Sequence, residues 1–71
     1  MSIFYLVFYE GPQGWSHLST IYYAERGAMH GVNKVFGYVY KNCDTCRIIK
    51  YETNPEDGTT ISETVKEVKR S

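Results

Sequence analysis

The chain has 71 residues, and its eight Lys and Arg residues balance eight Asp and Glu residues, so the formal net charge is zero. A chain of this length forms one small domain, which excludes a multi-domain machine. A neutral chain is also a poor candidate for coating DNA or RNA through a broad basic surface. Seven Tyr and one Trp supplement a modest aliphatic content, and we expect an aromatic-rich globular fold.

The sequence predicts a cytoplasmic protein with no membrane partner. Its longest apolar run, from Ile3 to Tyr9, is far shorter than the roughly 18 residues of a membrane span. The same run lacks the basic start and the small-residue cleavage site of a secretory signal. Cys43 and Cys46 are too few and too close together for a disulfide framework, which favours a reducing compartment.

The first half of the chain predicts a β-hairpin followed by a helix. Residues 2–10 are β-branched or aromatic at nearly every position, as in a central strand that is apolar on both faces. The turn 11–14 contains Pro and Gly, and residues 17–24 alternate as a return strand. Helical spacing of apolar residues then predicts a helix over 25–36.

Small residues recur one turn apart on this predicted helix, namely Ala24, Gly27, Ala28 and Gly31. Such a strip allows close approach of another backbone or side chain. We expect it to pack on the protein's own sheet, and the alternative is a ligand or partner seated there. Residues 38–41 fit either a helical extension or a short strand.

The second half predicts a strand, a turn and a helix. Residues 47–53 alternate as a strand, and the turn 54–58 closes it. Over 59–71, Thr60 and Glu63 have capping-box spacing. Three apolar residues in the same segment follow at i, i+4 and i+7, namely Ile61, Val65 and Val68.

We therefore predict an α+β fold, with a small antiparallel sheet and one packed helix in the order ββαβ, a possible extra strand and a short C-terminal amphipathic helix. Residues 1–54 would form the domain, and residues 55–71 the turn and helical tail.

The charge distribution indicates a protein-binding surface. Residues 1–40 hold four of the charged side chains and most of the aromatic ones, and one sheet face would stay exposed beside a single short helix. The candidate partner-binding residues are Trp15, Tyr5, Tyr9, Tyr22 and Tyr23. An edge strand could also pair with a partner or with a second copy as a homodimer.

Two alternatives use other residues. Exposed tyrosines could stack the bases of single-stranded RNA or DNA, with basic side chains along the backbone, namely Lys34, Lys41, Arg47 and Lys50. Cys43 and Cys46 could bind zinc if His17 and His30 converged on them, because structural zinc takes four ligands. We interpret the cysteines as ordinary thiols flanking a turn. No catalytic constellation is present in the sequence, so we expect neither an enzyme nor a cofactor.

The order hairpin, helix and return strand, with Tyr23-Ala24-Glu25 leading into the helix, resembles small bacteriophage host-takeover proteins, one of which inhibits bacterial RNA polymerase. The resemblance is one of pattern and size over residues 3–53, and an archaeal ribosomal protein shares the layout. It implies a non-enzymatic protein that binds and inhibits or redirects a host protein, in the host cytoplasm. It assigns no individual functional residue.

Overall fold

The computed structural model describes residues 2–39 and 43–70 as a small α+β unit with a four-stranded antiparallel sheet and one α-helix. The strands are β1 (Ser2–Gly11), β2 (Gly14–His17), β3 (Thr45–Thr53) and β4 (Thr60–Lys69). Helix α1 (Glu25–Lys34) follows β2 and continues into a π-helical turn, Val35–Val39. The strands lie in the order β2-β1-β3-β4. The predicted α+β class is confirmed, and the predicted ββαβ order is wrong because a further strand follows β3.

The first hairpin is shorter than predicted. Its register places Phe8 opposite His17 and Gly11 opposite Gly14, and Gly14 has a φ of 108°, a conformation that other residues rarely adopt. After His17 the chain still follows β1, but as an irregular segment. Tyr22 exchanges two backbone hydrogen bonds with Tyr5, of 2.7 and 3.0 Å. The predicted strand over 17–24 is thus replaced by a short strand and one isolated bridge.

The predicted C-terminal helix is wrong, because Thr60–Lys69 forms strand β4 and pairs antiparallel with β3. Strands β3 and β4 form a hairpin. In the turn that connects them, Gly58 has a φ of 71° and its N–H donates a 2.9 Å hydrogen bond to the Asn54 carbonyl. The Asp57 carboxylate accepts two further hydrogen bonds from Thr59, which lowers the pKa of Asp57. Several β-branched residues in β4 favour an extended backbone, and pairing with β3 satisfies its inner edge.

The core lies between α1 and one face of the sheet. Its fully buried side chains come from the helical segment, the two central strands and the residue Cys43 just before β3, and the largest are Val7, Val32, Val35, Cys43, Cys46 and Ile48. Of residues 38–41, Tyr38 and Val39 lie in the π-helical turn, whereas Tyr40 and Lys41 lie outside the described residues. No helix in the described ranges is long and apolar enough to span a membrane.

Candidate functional site: the open face of the sheet

Alternation along β1 gives the sheet two unlike faces. Val7 and Tyr9 point toward α1 and are buried, and their partners on β3, Ile48 and Cys46, are buried with them. The intervening residues of β1 point to the opposite side, where none of the described elements packs over the sheet. We call this side the open face. By register it includes Phe4, Leu6, Phe8, Glu10, Trp15, His17, Arg47, Ile49, Tyr51, Ser62, Thr64, Glu67 and Lys69.

Aromatic rings on the open face pack against each other across neighbouring strands. Phe4 and Tyr51 are directly opposite and stack with ring centroids 5.2 Å apart and planes at 10°. Phe8 meets His17 at the same centroid distance with a tilt of 52°. The His17 ring is also held by a 2.8 Å hydrogen bond in which Nδ1 donates to the Leu18 carbonyl. Cross-strand aromatic pairs fix ring orientations and stabilise the register.

Arg47 links three strands at one end of the open face. Its guanidinium lies 4.3 Å from the ring centroid of Trp15 on β2, a cation–π contact. Its Nε donates a 3.0 Å hydrogen bond to a carboxylate oxygen of Glu67 on β4. The positive charge is therefore already partnered, and the Trp15 ring is held beside it while remaining 41% exposed.

The predicted partner-binding residues fall in three different places. Trp15 lies on the open face, and Tyr23 is 78% exposed but lies outside the sheet, just before α1. Tyr5 and Tyr9 share the α1 side of β1, where Tyr9 is 7% exposed and Tyr5 packs against the core. Tyr22 also packs there, under the helix. The expectation that Tyr5, Tyr9 and Tyr22 share one exposed surface with Trp15 is therefore wrong.

Tyr22 accounts for the strip of small residues on α1. A Cβ atom added to Gly31 would lie 2.6 Å from the Tyr22 hydroxyl oxygen and 3.0 Å from a Val7 methyl carbon. At Gly27 the nearest atom would also belong to the Tyr22 ring, at 3.4 Å. The two glycines of the strip thus pack against a tyrosine of the same chain. The sequence favoured packing within the chain over a ligand site, although it placed the sheet there and not Tyr22.

The open face contains residues that the sequence analysis did not select, namely Phe4, Phe8 and Tyr51, and it contains Arg47, which was selected only as a residue along a nucleic-acid backbone. Alternation does group Phe4 with Phe8, and it pairs Ile49 with Tyr51. Alternation does not show which of the two faces is buried, because a strand that is apolar on both sides gives no indication of the face that the helix covers. The side of the sheet on which α1 packs supplies that information, and no local motif predicts it.

Cys43 and Cys46 are free, buried thiols at the start of β3. Burial, together with the neighbouring Cys43 thiol, raises the pKa of Cys46 to about 12, which keeps it protonated and unreactive. The Cys43 thiol donates a 3.3 Å hydrogen bond to the Thr45 carbonyl. Arg70 Nε donates to the Cys43 carbonyl at 2.9 Å and ties this segment to the end of β4.

The structure does not bring the four candidate zinc ligands together. His17 lies on the open face, on the other side of the sheet from the buried Cys46, and His30 is exposed on α1. Within residues 2–39 and 43–70, no three His, Cys, Asp or Glu side chains are grouped closely enough to hold a metal ion.

Comparison of the chain with protein-family models, with curated proteins and with solved structures gives no match. The geometry of the sheet therefore carries the functional argument.

Proposed function

We propose that this chain is a non-enzymatic protein-binding regulator whose open face docks on a partner protein. The observation that carries the proposal is an aromatic surface, spanning three strands, that none of the described elements covers. Consistent with this, the accessible surface of 4994 Å² exceeds the roughly 4,500 Å² expected for a compact monomer of 8.2 kDa. Large uncovered apolar patches on small domains mark interaction sites.

The open face has the anatomy of a protein interface. Phe4, Leu6, Phe8 and Tyr51 form an apolar centre on the two middle strands, and polar side chains of β4 border it. Trp and Arg are the residue types that most often dominate binding energy, and Trp15 and Arg47 already contact each other. Because these rings are held by cross-strand contacts, they lose little conformational entropy on docking.

Single-stranded nucleic acid is the second candidate, since Phe4, Phe8 and Tyr51 offer ring surfaces on a sheet. Proteins that bind single strands usually combine such rings with a positive groove. On the open face the Arg47 charge is paired with Glu67, and the chain as a whole has no net charge. The charge balance favours a protein partner.

The resemblance to bacteriophage host-takeover proteins selects the partner to test first. A protein of this size acts by occupying a surface of its target, and we propose that the target is a bacterial host protein. Inhibition or redirection would then follow from blocking that surface.

The test compares two aromatic side chains, one on the open face and one outside it. Tagged wild-type, Trp15→Ala and Tyr23→Ala chains are used to capture proteins from nuclease-treated bacterial lysate, and affinity for the purified captured protein is measured by calorimetry. We expect Trp15→Ala to weaken binding by about 30-fold or more, as for a binding hot spot. Tyr23→Ala should change it by less than about threefold, with circular dichroism unchanged in both variants.

Equal affinity of the Trp15→Ala variant and the wild type would overturn the open face as the docking surface. Capture that disappears with nuclease, together with binding to single-stranded oligonucleotides that falls steeply with salt, would instead establish the second candidate.

A further inference from the structure

Strand β4 leaves a long edge unpaired. Ten residues, Thr60–Lys69, pair with β3 on one side, and in the part of the chain that the structure describes no strand pairs with the other side. A row of free backbone donors and acceptors of this length is a template for another strand. Ile61 on this strand is 64% exposed, although it is a large apolar residue.

A β-bulge in β4 changes which of its side chains share a face. Ile48 is opposite Lys66, and the next residue of β3, Ile49, is opposite Thr64, so Val65 is an extra residue. Glu63 is opposite Lys50, which lies two residues from Ile48 on β3. Directly paired residues share a face, and therefore Glu63 and Lys66 both lie on the α1 side although three positions separate them.

This arrangement makes the edge self-complementary. When β4 pairs antiparallel with β4 of a second copy about a two-fold axis that passes beside Thr64, with Val65 unpaired in each strand, Glu63 faces Lys66 of the second copy and Ile61 faces Val68. Each contact occurs twice, as the symmetry requires. Each pair of residues lies on one face of the joined sheet, because the bulge at Val65 shifts the alternation by one residue in both strands.

Other registers lose the complementarity. A shift of two positions in either direction, counted with Val65 unpaired, puts Glu63 opposite Glu63 or Lys66 opposite Lys66 of the second copy, so like charges meet. Charged residues on an edge strand commonly deter association. Here they select a single register, in which each repeated pair has opposite charges.

We propose that the chain forms a symmetric homodimer through β4, in which Glu63 and Lys66 of each copy pair across the axis and the two sheets join into one of eight strands. The neutral net charge means that the copies do not repel each other. This inference uses a different surface from the open face and does not depend on the proposed function.

A charge exchange tests the dimer. Glu63→Lys alone and Lys66→Glu alone each place like charges opposite each other twice, and each variant should dissociate at least about tenfold more readily than the wild type in analytical ultracentrifugation. An equimolar mixture restores both opposite-charge pairs, and we expect it to form a heterodimer of near wild-type affinity.

A matched pair of variants controls for net charge. Glu56→Lys and Lys34→Glu change the charge equally at exposed positions outside β4, and each should dimerise alone like the wild type. Circular dichroism verifies folding. A wild-type chain that stays monomeric up to about 1 mM, or single β4 variants that dimerise as well as the controls, would overturn the proposal.

Discussion

The two faces of this sheet differ in how deeply their side chains are buried. Toward α1, compact residues such as Val7, Ile48 and Cys46 are fully buried and make a dry core. On the open face, rings and long side chains pack on each other but remain partly exposed to water. One helix closes the α1 side of the sheet, whereas the rings of Phe4, Phe8 and Tyr51 on the open face remain accessible to a partner.

The largest expected effect comes from two neighbouring isoleucines of β3. Ile48 is fully buried against α1, whereas Ile49 lies on the open face. Ile48→Ala should lower the free energy of unfolding by about 2–5 kcal/mol, because it leaves a cavity in the core. Ile49→Ala removes the same atoms from a half-exposed site and should cost less than half as much. Urea denaturation of both variants measures the difference, and equal losses would mean that the open face is covered in solution.

Two glycines of the helical segment differ in the space around them. Gly31→Ala would force Tyr22 and Val7 to move, and we expect a loss of about 1–3 kcal/mol, as for other overpacked cores. Gly37→Ala has open space around the new methyl group and should be neutral or slightly stabilising. Thermal denaturation followed by circular dichroism compares them.

Removing the Tyr22 hydroxyl provides the control for Gly31. In the double variant with Tyr22→Phe, the closest clash is absent, and part of the lost stability should return. A double variant no more stable than Gly31→Ala would show that the Tyr22 hydroxyl is not the obstacle.

A further effect depends on pH and belongs to the buried thiol of Cys46. Burial raises its pKa from the ordinary 9.0 to about 12 in the folded chain, so above pH 9 the unfolded chain releases a proton that the folded chain keeps. The contribution of Cys46 to the free energy of unfolding should therefore be constant below that pH and then fall by at most about 1.4 kcal/mol per pH unit. Urea denaturation at neutral pH and at about pH 10.5 measures this loss.

Cys46→Ala controls for other groups that titrate at alkaline pH. This variant should be less stable at neutral pH and should lose less on going to alkaline pH than the wild type does. An identical alkaline loss in both proteins would assign the effect to other side chains.

Sequence patterns predicted the central strands and the helix but not β4, and the bulge explains why. Ile61, Val65 and Val68 have the 4-then-3 spacing of one helical face. In β4 the extra residue at Val65 shifts the alternation, so the same three positions share the α1 side of a sheet, and Val65 and Val68 pack against the core. One feature of the sequence favoured a strand over the predicted helix. It is the turn ending in Gly58, which is typical of a β-hairpin between β-branched runs.

The candidate site was predictable only in part. Trp15 was selected as an exposed aromatic residue, and its exposure agrees with that expectation. The sequence could not separate Phe4 and Phe8 from Tyr5 and Tyr9, since both sets alternate on one apolar strand. Which set is covered depends on where α1 crosses the sheet, and that crossing is a tertiary property.

The order of the strands also affects how the chain reaches this fold. β1 and β3, at the centre of the sheet, pair residues that are between 37 and 51 positions apart, from Tyr9 with Cys46 to Ser2 with Thr53. The two outer pairings are hairpins of neighbouring segments, and short loops close with a smaller entropy loss than long ones. We expect the two hairpins to form early and the pairing of β1 with β3 to form in the rate-limiting step. In that step the apolar side of α1 packs on β1 and β3.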